Sequence, residues 1–202
     1  MNYQFLVDSY EVERFKVLNA WSMFRDEDMP VRPHSSDPRG RSVREQMVHQ
    51  CVSEDLWFRT MLDIEVGASP LPDREERIEF IRRYATDSEK RLRALNAIDE
   101  PWWQVIVPFF DVENSRAWVM TRRLTHTAHH RGQLIAMLRM LGRDLHSTYG
   151  PTADTGGLMQ HKAPTVHAYS DVNALLEGET AGGAKATLPT SGNLPVTERP
   201  GD

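Results

Sequence analysis

At 202 residues the chain is long enough to bury a core without disulfide or metal staples, and 40% of it is hydrophobic. Its single cysteine, Cys51, excludes an intrachain disulfide framework and points to a reducing, cytoplasmic setting, while a formal charge of -5 argues against nucleic-acid binding through a general basic face. No run approaches the roughly 18 uncharged apolar residues that a membrane span requires, and Asp8, Glu11 and Glu13 interrupt the stretch where a signal peptide would carry its apolar core.

The first helix is predicted from about Phe5 to Phe24, with Leu6, Tyr10, Val17, Trp21 and Phe24 recurring at helical spacing. The proline-rich stretch MPVRPHSSDPRGR stops it. Ser42 and Glu45 then form a capping box, after which His49, Val52 and Leu56 fall along one stripe, so His49 is expected on a core-facing seam. GASPLP breaks this second helix, and Asp73 with Glu76 repeats the capping spacing ahead of a third. There Ile78, Ile81, Ala85, Ser88, Leu92 and Leu95 alternate steps of three and four, the pattern of a helix-bundle seam. Arg82, Arg83, Lys90, Arg91 and Arg93 are interleaved with Glu79, Asp87 and Glu89 and read as a solvated surface of that helix.

Residues 97–114 hold Pro101, Pro108, two tryptophans and the run Val105-Ile106-Val107, which suggests a packed crossover with a short extended piece. Ser115 is placed to cap a fourth helix that carries Trp118, Leu134, Met137 and Leu141 inward and ends near Gly142. Four long amphipathic segments without strand alternation predict an all-α four-helix bundle over residues 1–150. Residues 151–202 are richer in Gly, Thr, Pro and Ala and read as a loop-rich C-terminal segment, with one short helix near Ser170 to Leu176 and a final tail on the surface or on a partner subunit.

The chemistry is concentrated in HTAHHRGQL. Four residues advance a helix by about 40° and roughly 6 Å, so His126 and His130 can converge on one ion. His126 with His129 is also a workable spacing; the stripe through His130, Gln133 and Met137 favours the first pair. His49, from a second helix, completes a candidate set of three. Three imidazoles leave coordination positions open, as in working rather than closed structural zinc sites, and they suit Zn²⁺, Ni²⁺, Fe²⁺ or Cu²⁺ better than Mg²⁺ or Ca²⁺.

Gln133 is the candidate catalytic residue, positioned either to hydrogen-bond a metal-bound water or substrate, to orient a ligand, or simply to bridge helices. Arg131 reads as a brace at a helix or subunit interface. Arg122, one turn before His126, faces either an anionic substrate group or a salt bridge. Cys51 lies about 200° from His49 around the helix and reads as a small buried hydrophobe. His34, His146, His161 and His167 fall in predicted loops or tail and receive no role. Trp102, Trp103, Phe109 and Phe110 read as core or as the wall of a pocket. No phosphate-binding glycine loop, paired-cysteine zinc motif or Gly-x-Ser-x-Gly elbow is present.

The segments VREQMVHQ and HTAHHRGQL, together with YGPTADTGG after the last long helix, resemble the DinB (DNA-damage-inducible) family within the YfiT-like superfamily of metal-dependent hydrolases, over roughly residues 5–155. The resemblance implies up-down-down-up topology, a homodimer, and a divalent ion such as zinc or nickel on His49, His126 and His130. Relatives with assigned activity include bacillithiol S-transferases and a mycothiol-dependent maleylpyruvate isomerase. The resemblance therefore implies an enzyme that transfers a low-molecular-weight thiol to a small-molecule electrophile, with a metal-dependent hydrolase, or a stress-related bundle holding a purely structural metal, as the alternatives.

Overall fold

The structure, a computed structural model, describes residues 3–189 and 196–197. Four long helices carry the fold: α1 (Gln4–Ser22), α2 (Val43–Thr60), α3 (Arg77–Asn96) and, after a short α4 (Glu100–Gln104) and an antiparallel hairpin of β1 (Ile106–Phe109) and β2 (Val112–Ser115), α5 (Arg116–Met140). A last helix, α6 (Val172–Thr180), follows a stretch of 3-10 turns. The protein is thus all-α apart from one small hairpin, and no helix among the described residues is long and apolar enough to cross a membrane.

Local chemistry sets most of the boundaries. The Ser42 hydroxyl accepts from the Glu45 amide at 3.2 Å and the Glu45 carboxylate accepts from the Ser42 amide at 2.8 Å, which closes the expected box on α2. Ser115 caps α5 by accepting from the Trp118 amide at 3.2 Å, and Gly142 follows its end in the left-handed region at φ 64°. Asp73 caps nothing. The helix begins at Arg77, so Glu76 itself is the flanking residue and the Asp73–Glu76 pair never comes into register.

α1 packs against α3 and α5, and α2 packs against the same two helices. The interior divides into two apolar clusters. One gathers Trp21, Met47, Phe80, Tyr84, Leu134 and Leu138; the other gathers Tyr10, Phe58, Leu95, Trp103, Val119 and Met120. α1 and α5 run from the second cluster toward the first, and α2 and α3 run the other way.

Between the clusters lies a buried polar layer that hydropathy patterning does not anticipate. Glu54, fully buried, accepts from the Tyr10 hydroxyl at 2.6 Å and the Tyr84 hydroxyl at 2.9 Å, and faces the Arg91 guanidinium at 3.4 Å. Burial by itself disfavours the Arg91 charge, but the adjoining Glu54 carboxylate outweighs it and raises the pKa of the guanidinium. Arg123, also fully buried, donates to Thr127 and to the Ser53 hydroxyl at 3.0 Å each.

The chain after α5 is held against the helices. Leu145, Ala168, Tyr169 and Leu175 join the first cluster, and the Tyr169 amide donates to the Asn19 side chain at 3.3 Å. α6 occupies Val172–Thr180, longer than the short helix expected near Ser170 to Leu176. His146 and His167, given no role from sequence, anchor this segment: a ring nitrogen of His146 meets the Ala186 carbonyl at 2.8 Å, and one of His167 meets the Ser147 carbonyl at 2.7 Å. The end of the expected tail, residues 190–195 and 198–202, lies outside the described residues.

Candidate metal centre

The three histidines meet where α2 and α5 lie side by side at the level of the polar layer. One ligand-capable nitrogen from each of His49, His126 and His130 falls within 4.8 Å of the others, the one such group of three among the described residues. His126 Nε2 and His130 Nε2 are 3.3 Å apart. Two nitrogens bound to one zinc at about 2.05 Å and a tetrahedral angle are separated by about 3.3 Å, so the α5 pair already has the spacing of ligands. His49 closes the triangle, its ring centroid 4.5 Å from that of His130 and 5.3 Å from that of His126.

Two glutamines fix the His130 tautomer. Its Nδ1 lies 3.0 Å from Gln46 Oε1 and 3.0 Å from Gln133 Oε1, both acceptors, so the proton sits on Nδ1 and the Nε2 lone pair points to the centre. The Gln46 amide in turn donates to Gln133 Oε1 at 2.8 Å, which ties α2 to α5 beside the ligands. Gln133 therefore stands against the outer nitrogen of His130, and its own amide meets His129 Nε2 at 3.0 Å. His129, the alternative partner of His126, belongs to this outer layer. Gln46 was not singled out from sequence; the available signal was its place one turn before His49 on the same helix.

Electrostatics keep the imidazoles neutral. Burial, then the Arg123 guanidinium and the neighbouring histidines, pushes the His126 pKa down to about 3. Burial and His49 push His130 down to about 4 against the opposing effect of the hydrogen bond it donates to Gln133. His49 is lowered by burial, Arg41 and Arg123. Neutral nitrogens are the form that binds a borderline divalent cation, so the donor set fits an ion of the zinc or nickel type.

The seam differs from the sequence expectation in one respect. Val52 and Leu56, which share the His49 stripe, are well exposed, and the buried stripe of α2 runs instead through Met47, Cys51, Glu54 and Phe58. His49 consequently sits at the solvent edge of the helix pair and not inside the core. Trp118 is likewise 38% exposed where it was expected to point inward, because Val119 and Met120 take the buried face at the start of α5. Cys51 is buried, and burial raises its thiol pKa strongly. Arg131 pairs with Glu13 and braces α5 against α1, whereas Arg122 lies over the Trp118 ring at 5.9 Å with no carboxylate partner among the described residues. Trp57, also unremarked from sequence, packs at a tilt beside His126 with ring centroids 5.3 Å apart.

The model of the DinB family matches residues 4–160. A DinB-like protein from Bacillus cereus ATCC 10987 superposes with a TM-score of 0.61 at 17% identity, covering 71% of this chain and 95% of its own. A second, YjoA from Bacillus subtilis, gives 0.52 at 16% identity over 68% and 92%. These similarities describe the fold. No curated protein matches the chain.

Proposed function

The chain belongs to the DinB family, and from that premise we propose that it is a divalent-metal enzyme which transfers a low-molecular-weight thiol to a small electrophile. The observation that carries this reading is three neutral imidazoles meeting between α2 and α5, His49 and His126 half-buried and His130 buried, a set that can hold zinc or nickel and leave positions for a substrate. When bound, the ion supplies Lewis acidity that favours a thiolate over a thiol at neutral pH.

The chain's own residues do the rest. Gln46 and Gln133 hold His130 in its binding tautomer, and Trp57 walls the His126 side. Arg41, which acts through space on both His49 and His130, places positive charge at the rim and favours an anionic sulfur there. Cys51 is buried, so the reacting sulfur comes from a second substrate and not from the protein. In the transfer, a sulfur–carbon bond forms, the leaving group departs with its electron pair, and the thiol proton passes to solvent.

The test is conjugation of cysteine, glutathione and sugar-linked thiols to a haloalkyl electrophile by zinc- or nickel-loaded protein, with His130→Ala as control. Metal-dependent turnover lost in the variant is expected. Equal turnover by both proteins refutes the proposal, and turnover without any thiol reassigns the centre to hydrolysis.

A further inference from the structure

The clasp on His130 holds its tautomer only while the two amides keep their orientation. His130 Nδ1 lies 3.0 Å from the side-chain oxygens of Gln46 and Gln133, and the Gln46 amide nitrogen lies 2.8 Å from that same Gln133 oxygen. With both carboxamides turned end for end, each of these contacts survives with donor and acceptor exchanged. Two amide N–H groups then point at His130 Nδ1, and the ring proton moves to Nε2. The nitrogen that faces His126 at 3.3 Å would no longer offer a lone pair to an ion. The glutamines therefore transmit a polarity that another group has to set.

The chain of hydrogen bonds has one more link. The Gln133 amide nitrogen meets His129 Nε2 at 3.0 Å, one helical turn back along α5. His129 and Gln133 are exposed whereas Gln46 and His130 are buried, so the chain runs from the surface to the centre. Water in place of the His129 ring would accept or donate equally well and leave the Gln133 amide free to turn. A neutral imidazole nitrogen without a proton can only accept, so it holds the amide nitrogen outward and the oxygen inward.

We propose that His129 is a positioning residue for the metal centre: by accepting at Nε2 it orients Gln133, and through Gln133 it keeps the His130 proton on Nδ1 and leaves Nε2 open to the ion; this rests on the metal-centre reading above. The linkage runs both ways. An ion on His130 Nε2 selects the Nδ1–H form of His129, although an unconstrained histidine side chain in water favours Nε2–H. The expected size is that of one neutral hydrogen bond, about threefold to tenfold in metal affinity.

Nitrogen-15 shifts of the histidine rings, read by long-range proton–nitrogen correlation on the full-length chain above the pH range in which histidines titrate, report the tautomer of each ring. Competition with a chelator gives zinc affinity. In the zinc-loaded chain His129 is expected as Nδ1–H, with Nε2 unprotonated and unligated. His129→Leu, with melting curves as the check on folding, should bind zinc about threefold to tenfold more weakly. His129→Gln, whose side-chain oxygen can accept in place of the ring, should recover most of that loss. An Nε2–H form of His129 in the zinc-loaded chain overturns the proposal without recourse to any variant. A change under about twofold in His129→Leu, or an equal loss in both folded variants, overturns it too. A zinc-induced shift that marks His129 as a ligand moves it into the inner set and ends its outer role. Absence of zinc-induced shifts at His49, His126 and His130 overturns the metal centre itself, and the proposal with it.

Discussion

Replacing Glu54 by alanine is expected to be among the most damaging single changes in this protein. The carboxylate is fully buried between α1, α2 and α3, accepts hydrogen bonds from Tyr10 and Tyr84, and faces Arg91. Its removal strands the buried Arg91 guanidinium, whose other carboxylate contact, Asp55 at 3.2 Å, lies toward the surface. Breaking a buried pair from one side costs about 3–5 kcal/mol. Against a total stability on the order of 5–15 kcal/mol, that is a melting temperature lower by roughly 6–20 °C in a domain of this size. Denaturant titration followed by circular dichroism gives the first quantity and thermal scans the second. The double variant Glu54→Leu with Arg91→Leu is expected to lose less than Glu54→Ala alone, because the Arg91 guanidinium is no longer left buried without its carboxylate. A loss under about 1 kcal/mol for Glu54→Ala, or a double variant worse than the single, refutes the account of the layer as a coupled ionic network.

Further outcomes follow from the centre and its surroundings. Stability of the metal-free protein should fall as pH is lowered from about 6.5 toward 4: both His126 and His130 titrate below the unfolded value, so the unfolded chain binds protons that the folded one refuses. Denaturant midpoints across that window test this, and a flat profile contradicts the depressed pKa values. Zinc at 100 times its dissociation constant should stabilise the fold by about 2.7 kcal/mol; the same shift in His126→Ala removes that histidine from the ligand set. Gln133→Leu is expected to weaken metal affinity by about 10–100-fold if the side chain orients His130, measured by competition with a chelator. Unchanged affinity with reduced turnover would instead return Gln133 to the catalytic role. Phe110 opens the turn between β1 and β2 in the left-handed region at φ 55° and is 67% exposed. Phe110→Gly should alter stability by no more than about 1 kcal/mol, since relief of the left-handed strain offsets lost ring contacts; a loss of about 3 kcal/mol, the range of a buried phenylalanine, would show that the ring serves the core.

Much of the site was legible before any coordinates. Helical spacing aligns His126 with His130, and capping by Ser42 and Ser115 sets where α2 and α5 begin. Local rules suffice for these because each depends on residues within about one turn. The same rules placed Val52, Leu56 and Trp118 on buried faces, where the structure exposes them. A hydropathy stripe records which residues are apolar; which stripe is covered depends on the neighbouring helices.

Sequence alone determined the helical class, two of the helix starts and the pairing of His126 with His130, since short-range geometry dictates each. The arrival of His49, the glutamine clasp on His130, the Glu54 layer and the exposed ring of Phe110 were decided only when separate segments packed. Contacts such as Gln46 to Gln133 and Tyr10 to Glu54 join residues far apart along the chain. No local periodicity encodes such distances, because they arise from the simultaneous burial of several helices around one interior.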